Sequence, residues 1–207
     1  MTAIDEIALS AGVIPVLEVE ALEQAAPLAR ALSAGGLRVV ELTLRTACAL
    51  DALKAMQDAA PDLIVGMGTI RSERDVAASR AAGAAFLVSP GVGAGLLQAM
   101  ADSGAPALPG VATASEAMTA CDAGFHFLKF FPAEPAGGAP YLKSLAGPLP
   151  DVRFCPTGGI SAAKANEYLA LSNVVCVGGS WIATKAMIAA GDWKSIEDNA
   201  RAAASLK

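Results

Sequence analysis

The chain has a single histidine, no Cys-x-x-Cys pair, few aromatics and no run of like charge, and each shortage removes a class of function. Cys48, Cys121, Cys155 and Cys176 lie far apart and only His126 could add a nitrogen ligand, so neither a zinc site nor a disulfide framework is expected. Reduced, mostly buried thiols follow. Lys and Arg total 15 against 20 Asp and Glu, a net charge of −5 without a basic stripe, which argues against nucleic acid as a partner. Neither G-x-x-x-x-G-K-[ST] nor G-x-G-x-x-G occurs, and Val92-Gly93-Ala94-Gly95-Leu96 has the wrong spacing for either, so no nucleotide cofactor is indicated. Met1-Thr2-Ala3-Ile4-Asp5-Glu6 is acidic where an export signal would be basic, which makes the cytoplasm the expected location. The uncharged stretch from Ala81 to Ala101 is interrupted by Ser89-Pro90-Gly91, Gly93 and Gly95, which suits a strand, loop and helix better than a membrane span.

What the chain does have is apolar surface to bury. Hydrophobic residues make up 54% and charged residues 17% of 207 positions, enough for one compact domain over 1–207 with apolar area left for self-association. Short β-rich runs recur every 20 to 25 residues or so, each followed by an Ala/Leu-rich segment of helical spacing. They are Val13–Val19, Arg38–Leu44, Leu63–Thr69, Ala85–Ser89, Ala107–Val111, Phe125–Phe131, Val152–Pro156 and Val174–Val177. Eight such βα units predict a (β/α)8 TIM barrel, with an open doubly wound sheet as the alternative. Leu22–Ala34 and Ser72–Ala82 read as helices, and Gly35-Gly36, Gly83, Gly124 and Gly191 stand where helix ends favour left-handed residues.

A barrel directs attention to the C-terminal ends of its strands. Lys129 lies inside Phe127-Leu128-Lys129-Phe130-Phe131-Pro132, and an ammonium is costly to bury there, so desolvation favours the neutral amine that attacks a ketone. A lysine on the polar face of an amphipathic strand is the plainer reading. In Val39-Val40-Glu41-Leu42-Thr43-Leu44-Arg45, alternation puts Glu41 and Thr43 on one face and Val40, Leu42 and Leu44 on the other. Glu41 is then a carboxylate aimed into an apolar interior, able to move protons; an ion pair with Arg45 is the structural alternative. Arg45 has the planar donors to fork onto a substrate carboxylate. Gly158-Gly159 and Gly178-Gly179-Ser180 follow the seventh and eighth runs, where barrels commonly hold phosphate.

The segments Val39 to Thr46, Gly66-Met67-Gly68-Thr69, Ser89-Pro90-Gly91, Lys129-Phe130-Phe131-Pro132-Ala133-Glu134, Arg153 to Ile160 and Gly178-Gly179-Ser180-Trp181 resemble, in order and nearly end to end, those of the 2-keto-3-deoxy-6-phosphogluconate (KDPG) and 4-hydroxy-2-oxoglutarate aldolases. The resemblance implies a class I aldolase of the Entner-Doudoroff pathway, metal-free, without a cofactor and homotrimeric, taking a small keto acid phosphate. It implies that Lys129 forms the Schiff base with pyruvate and Glu41 is the general acid and base. It further implies that Arg45, Thr69, Pro90, Phe131 and Thr157 contact substrate, while Gly158, Gly159, Gly179 and Ser180 hold the phosphate. Some relatives carry a basic residue just after the first strand, whereas here Val16-Leu17-Glu18-Val19-Glu20 is acidic, so that contact is missing or comes from elsewhere. An aldolase for the galactonate epimer, and a phosphate-binding isomerase or sugar-phosphate sensor, remain as alternatives.

Overall fold

The computed structural model describes residues 3–206; Met1 and Thr2 of the acidic N-terminal stretch, and Lys207, lie outside the described residues. Nine strand segments follow in order: β1 (Val13–Leu17), β2 (Val39–Thr43), β3 (Ile64–Gly68), β4 (Leu87–Val88), β5 (Ala107–Leu108), β6 (Gly110–Val111), β7 (Phe127–Phe130), β8 (Arg153–Pro156) and β9 (Val177–Gly179). They pair in parallel throughout, in the order β5-β4-β3-β2-β1-β9 and β6-β7-β8. β5 runs on into β6 across Pro109, and β8 meets β9 through the bridge between Thr157 and Gly178, so the nine segments are the eight staves of a (β/α)8 barrel.

Two strands depart from the sequence expectation. The fifth run is split, because Pro109 has no N–H to give the ladder, although its carbonyl still accepts from the Lys129 amide at 2.8 Å. The eighth strand lies at Val177–Gly179, later than expected, and Val174 contributes only an isolated bridge to Phe154. Glycines are poor strand formers. Here they occupy the ladder because neighbours fill the space: a Cβ on Gly178 would sit 2.2 Å from the Thr157 hydroxyl, and one on Gly179 1.8 Å from the Trp181 ring.

Strand alternation sorts the side chains into two cores. Ile14, Val39, Phe86, Val88, Leu108, Phe127, Cys155 and Cys176 fill the barrel interior with Ile4 and Ala8 of α1 (Ala3–Leu9), which closes the N-terminal end. The alternate positions, among them Val40, Leu42, Val65, Met67, Leu128, Phe130 and Phe154, face outward against the helices. Those helices are α2 (Ala25–Ala34), α3 (Ala49–Ala59), α4 (Glu73–Ala81), α5 (Ala94–Asp102), α6 (Ala114–Asp122), α7 (Gly138–Leu145), α8 (Ala162–Leu169), α9 (Lys185–Ala190) and α10 (Trp193–Ala204). Ser72 caps α4 by accepting from the Asp75 amide, and Thr113 and Glu116 close a capping box on α6. The segment from Leu22 opens as a 3-10 turn, Leu22–Gln24, before α2 begins.

Gly36, Gly83, Gly124 and Gly191 are left-handed as expected. Gly35 is not: its φ is −73°, and it is glycine because a Cβ would meet that of Ala200 on α10 at 2.4 Å. Among the described residues no helix is long and apolar enough to cross a membrane, and residues 81 to 101 run from the end of α4 through β4 and a loop into α5.

Candidate active site

Lys129 on β7 and Glu41 on β2 come from strands that are not neighbours, yet both point into the barrel one layer above Phe127 and Val39. The Lys129 Nζ lies 3.0 Å from Oε1 and 3.2 Å from Oε2 of Glu41. Both residues are buried, at 4% and 3% exposure. The room for this pair is made by a glycine: Gly68 lies beside Glu41, and a Cβ there would approach Oε1 to 2.1 Å. The Phe131 ring closes the other side, its centroid 5.3 Å from Nζ. Two opposite charges buried this deeply tolerate each other only as partners. Proton transfer from ammonium to carboxylate removes both charges and leaves a free amine beside its own acid, which is the arrangement that attack on a carbonyl requires.

Arg45 does not join this pair. Its Nε donates to the Thr69 hydroxyl at 3.1 Å, and a terminal nitrogen stands 3.6 Å from Glu18. The structural alternative for Glu41, an ion pair with Arg45, is therefore replaced by the pair with Lys129. Thr69 has a φ of 62°, a left-handed conformation that a β-branched residue adopts only under strain. Such strain is characteristic of functional positions. Pro90 is packed against Gly110, where a Cβ would come within 2.5 Å of the Pro90 carbonyl carbon.

Thr157 is buried beside Gly178, and the Gly158-Gly159 turn that follows has φ values of 105° and 79°. Glycine is needed at both. The turn is tied to the loop after β7, because the Ala133 amide donates to the Thr157 carbonyl at 2.8 Å and the Glu134 amide to that of Gly158 at 3.0 Å. Glu134 is in turn fixed by its side chain, which accepts from Lys164 and from the Tyr168 hydroxyl. Lys164 first, and Tyr168 second, hold its carboxyl below the usual carboxylate range, while burial and Glu134 raise the Tyr168 hydroxyl. Gly179 is buried, and exposed Ser180 lines a 260 Å³ pocket with Glu18, Arg45 and Lys185.

The structure thus gathers the expected residues at the C-terminal ends of the strands, and adds Glu134, Gly68, Glu18 and Lys185. In the sequence Glu134 is visible only as the end of the Lys129-Phe130-Phe131-Pro132-Ala133-Glu134 segment; its partners on α8 leave no local signal. His126 is exposed at the opposite end, on a 290 Å³ cavity whose lining includes Asp5 and Arg153, an ion pair at 2.7 Å. The four cysteines are free, and a hydrogen bond with Cys155, followed by burial, pushes the Cys176 thiol well above its usual range. Among the described residues no three of His, Cys, Asp and Glu cluster as metal ligands.

An amine and a carboxylate buried together at the C-terminal end of a parallel barrel place the chain in the class of barrel enzymes built for Schiff-base chemistry. Known proteins narrow this class. The family model "KDPG and KHG aldolase" matches residues 4–199. The 2-dehydro-3-deoxy-phosphogluconate aldolase of Pseudoalteromonas atlantica is 48% identical over 92% of this chain and 89% of its own. The KHG/KDPG aldolase of Escherichia coli is 46% identical over 98% and 95%. Among solved structures, KDPG aldolase from Legionella pneumophila, with pyruvate captured as a covalent carbinolamine, superposes with a TM-score of 0.95 at 44% identity, covering 99% of both chains. The chain belongs to the KDPG and KHG aldolase family.

Proposed function

We propose that this protein is a class I aldolase that reversibly cleaves 2-keto-3-deoxy-6-phosphogluconate to pyruvate and glyceraldehyde 3-phosphate, the aldolase step of the Entner-Doudoroff pathway. The observation that carries the reading is the buried contact of 3.0 Å between Lys129 and Glu41. Lys129 attacks the C2 ketone, and loss of water from the carbinolamine gives a protonated imine. Glu41 moves protons in that step and then takes the C4 hydroxyl proton as the C3–C4 bond breaks, its electron pair flowing into the iminium. Glyceraldehyde 3-phosphate leaves; the enamine is reprotonated at C3 and hydrolysed to pyruvate and free lysine. The iminium is the electron sink, so no cofactor is required.

Arg45 and Thr69 hold the pyruvyl carboxylate, with their mutual hydrogen bond fixing the fork. Pro90, Phe131 and Thr157 line the substrate, and Gly158, Gly159, Gly179 and Ser180 receive the phosphate through close backbone approach. The enzyme acts as one domain over residues 1–207, as a homotrimer in the cytoplasm. A composition that is 54% hydrophobic agrees with self-association, and free cysteines agree with a reducing compartment. The family's second substrate, 4-hydroxy-2-oxoglutarate, follows the same path without a phosphate.

Borohydride added with pyruvate tests the mechanism, because it reduces the imine to a stable secondary amine. Peptide mapping is expected to find the adduct on Lys129. An adduct on Lys54 or Lys143, or none, overturns the assignment. Turnover compared on the gluconate, galactonate and 4-hydroxy acid substrates fixes the preference.

A further inference from the structure

Glu18 follows β1 directly and sits between the strand that leads to Arg45 and the one that leads to Lys185, since β1 pairs with β2 on one side and β9 on the other. Its carboxylate stands 3.6 Å from Arg45 and is hydrogen-bonded to the Lys185 ammonium, which also lies 3.6 Å from Glu20. The partners differ in freedom. The Glu18 side chain is 16% exposed and the Lys185 side chain 59%. The carboxylate is thus the fixed member and the lysine the one that can turn away, because an ion pair made by an exposed lysine is weak and exchanges readily. Lys185 shares its 260 Å³ pocket with Ser180, beside the glycines assigned above to the phosphate.

We propose that Lys185 is the specificity-determining cation for the substrate's phosphate, parked on Glu18 when the site is empty and passed to the phosphate dianion when substrate binds. This rests on the aldolase reading given above. No covalent change is involved; one ammonium exchanges a carboxylate for an oxyanion of twice the charge, and at equal distance the Coulomb attraction doubles. Glu18 sets the threshold for that exchange. Its negative charge opposes every incoming anion and competes for Lys185, so it trims the phosphate's advantage over a neutral hydroxymethyl end, which cannot draw Lys185 away, and favours a dianion over a singly charged group. Glu18 also keeps Lys185 firmly protonated, the state the exchange needs.

The test compares kcat/KM for 2-keto-3-deoxy-6-phosphogluconate and for its dephosphorylated form, 2-keto-3-deoxygluconate, in wild type, K185M, K185R and E18Q at low ionic strength. Both substrates carry the pyruvyl carboxylate, so any effect on Arg45 cancels in their ratio. K185M is expected to lower the selectivity ratio about tenfold through KM, the scale of one charge-assisted hydrogen bond, with K185R restoring most of it. E18Q is expected to raise the ratio. Competitive inhibition by inorganic phosphate, which reads binding without turnover, is expected to weaken to the same extent in K185M. A K185M ratio within twofold of wild type, or an E18Q ratio that falls, overturns the inference. Wild type that fails to cleave the phosphorylated substrate overturns the aldolase assignment itself, a result distinct from either.

Discussion

Replacing Gly68 by alanine is the sharpest probe of how the buried pair is built. The added Cβ would lie 2.1 Å from Oε1 of Glu41 and 2.6 Å from Cδ and Cγ, far inside van der Waals contact. Glu41 must therefore retreat by about 1 Å or more, toward the optimum carbon contact range. That lengthens the 3.0 Å contact to Lys129 beyond a good hydrogen bond. Misplacing a catalytic group by 1 Å can cost about 10² in rate, and overpacking a filled core costs ~1 to 3 kcal/mol. For a chain of this length the latter corresponds to a fall in Tm of very roughly 2 to 12 °C. Gly66 supplies the control. Two residues back on β3, it pairs in register with Glu41, but its Cβ would meet the Phe86 ring at 2.4 Å, a comparable clash whose nearest atoms belong to an apolar ring and not to the Glu41 carboxylate. Pyruvate release measured by a coupled assay, with calorimetry on the same preparations, is expected to show G68A losing about 10² in kcat. G66A is expected to lose similar stability and less than tenfold in kcat. If G68A turns over within threefold of wild type, the geometry of the pair does not govern the reaction and the reasoning is refuted.

Glu41→Gln keeps shape but cannot exchange protons, so kcat is expected to fall by ~10² to 10⁴, and a well-folded variant with near-normal kcat would remove Glu41 as the base. Incubation with EDTA is expected to leave activity unchanged, whereas loss restored by a divalent ion would point to a metal-dependent aldolase. Lys164 and Tyr168 hold the Glu134 carboxyl below its ordinary pKa in the fold, so its contribution is present above the ordinary carboxyl range and is lost as pH falls through the folded value; Glu134→Gln is expected to flatten the acid limb of the Tm against pH curve, and an unchanged limb would refute this.

Alternation is the part of the site that the sequence makes legible. Period two by itself puts Glu41 on the inward face, and Lys129 inside an apolar run belongs with it. Which groups meet across the barrel is not legible, because pairing between β2 and β7 depends on closure and leaves no trace in local spacing. Arg45, four residues from Glu41, is the natural local partner on sequence grounds, yet it turns to Thr69 and Glu18. The glycines divide similarly. Gly36, Gly83 and Gly124 follow from local helix-end chemistry, whereas Gly35, Gly66, Gly68 and Gly178 are explained by side chains arriving from distant segments. α1 carries no such local signal: Ile4 and Ala8 acquire meaning only as a plug beneath Phe127 and Cys155. The displaced eighth strand has the same origin, since Gly178-Gly179 reads as a turn until Thr157 and Trp181 are seen to occupy the vacated space.

The pairing of β1 with β9 has a consequence for biosynthesis. Val13 pairs in register with Val177, whose amide donates to the Gly12 carbonyl at 3.1 Å, so β1 leaves the ribosome with one ladder edge open until β9 arrives. At ~5 to 20 residues per second, that interval is roughly 10 to 30 s of translation. An open parallel edge is a template for another chain. A product cut short anywhere before β9 is thus no smaller barrel with partial activity but an unsealed sheet, and the cell must hold or destroy it.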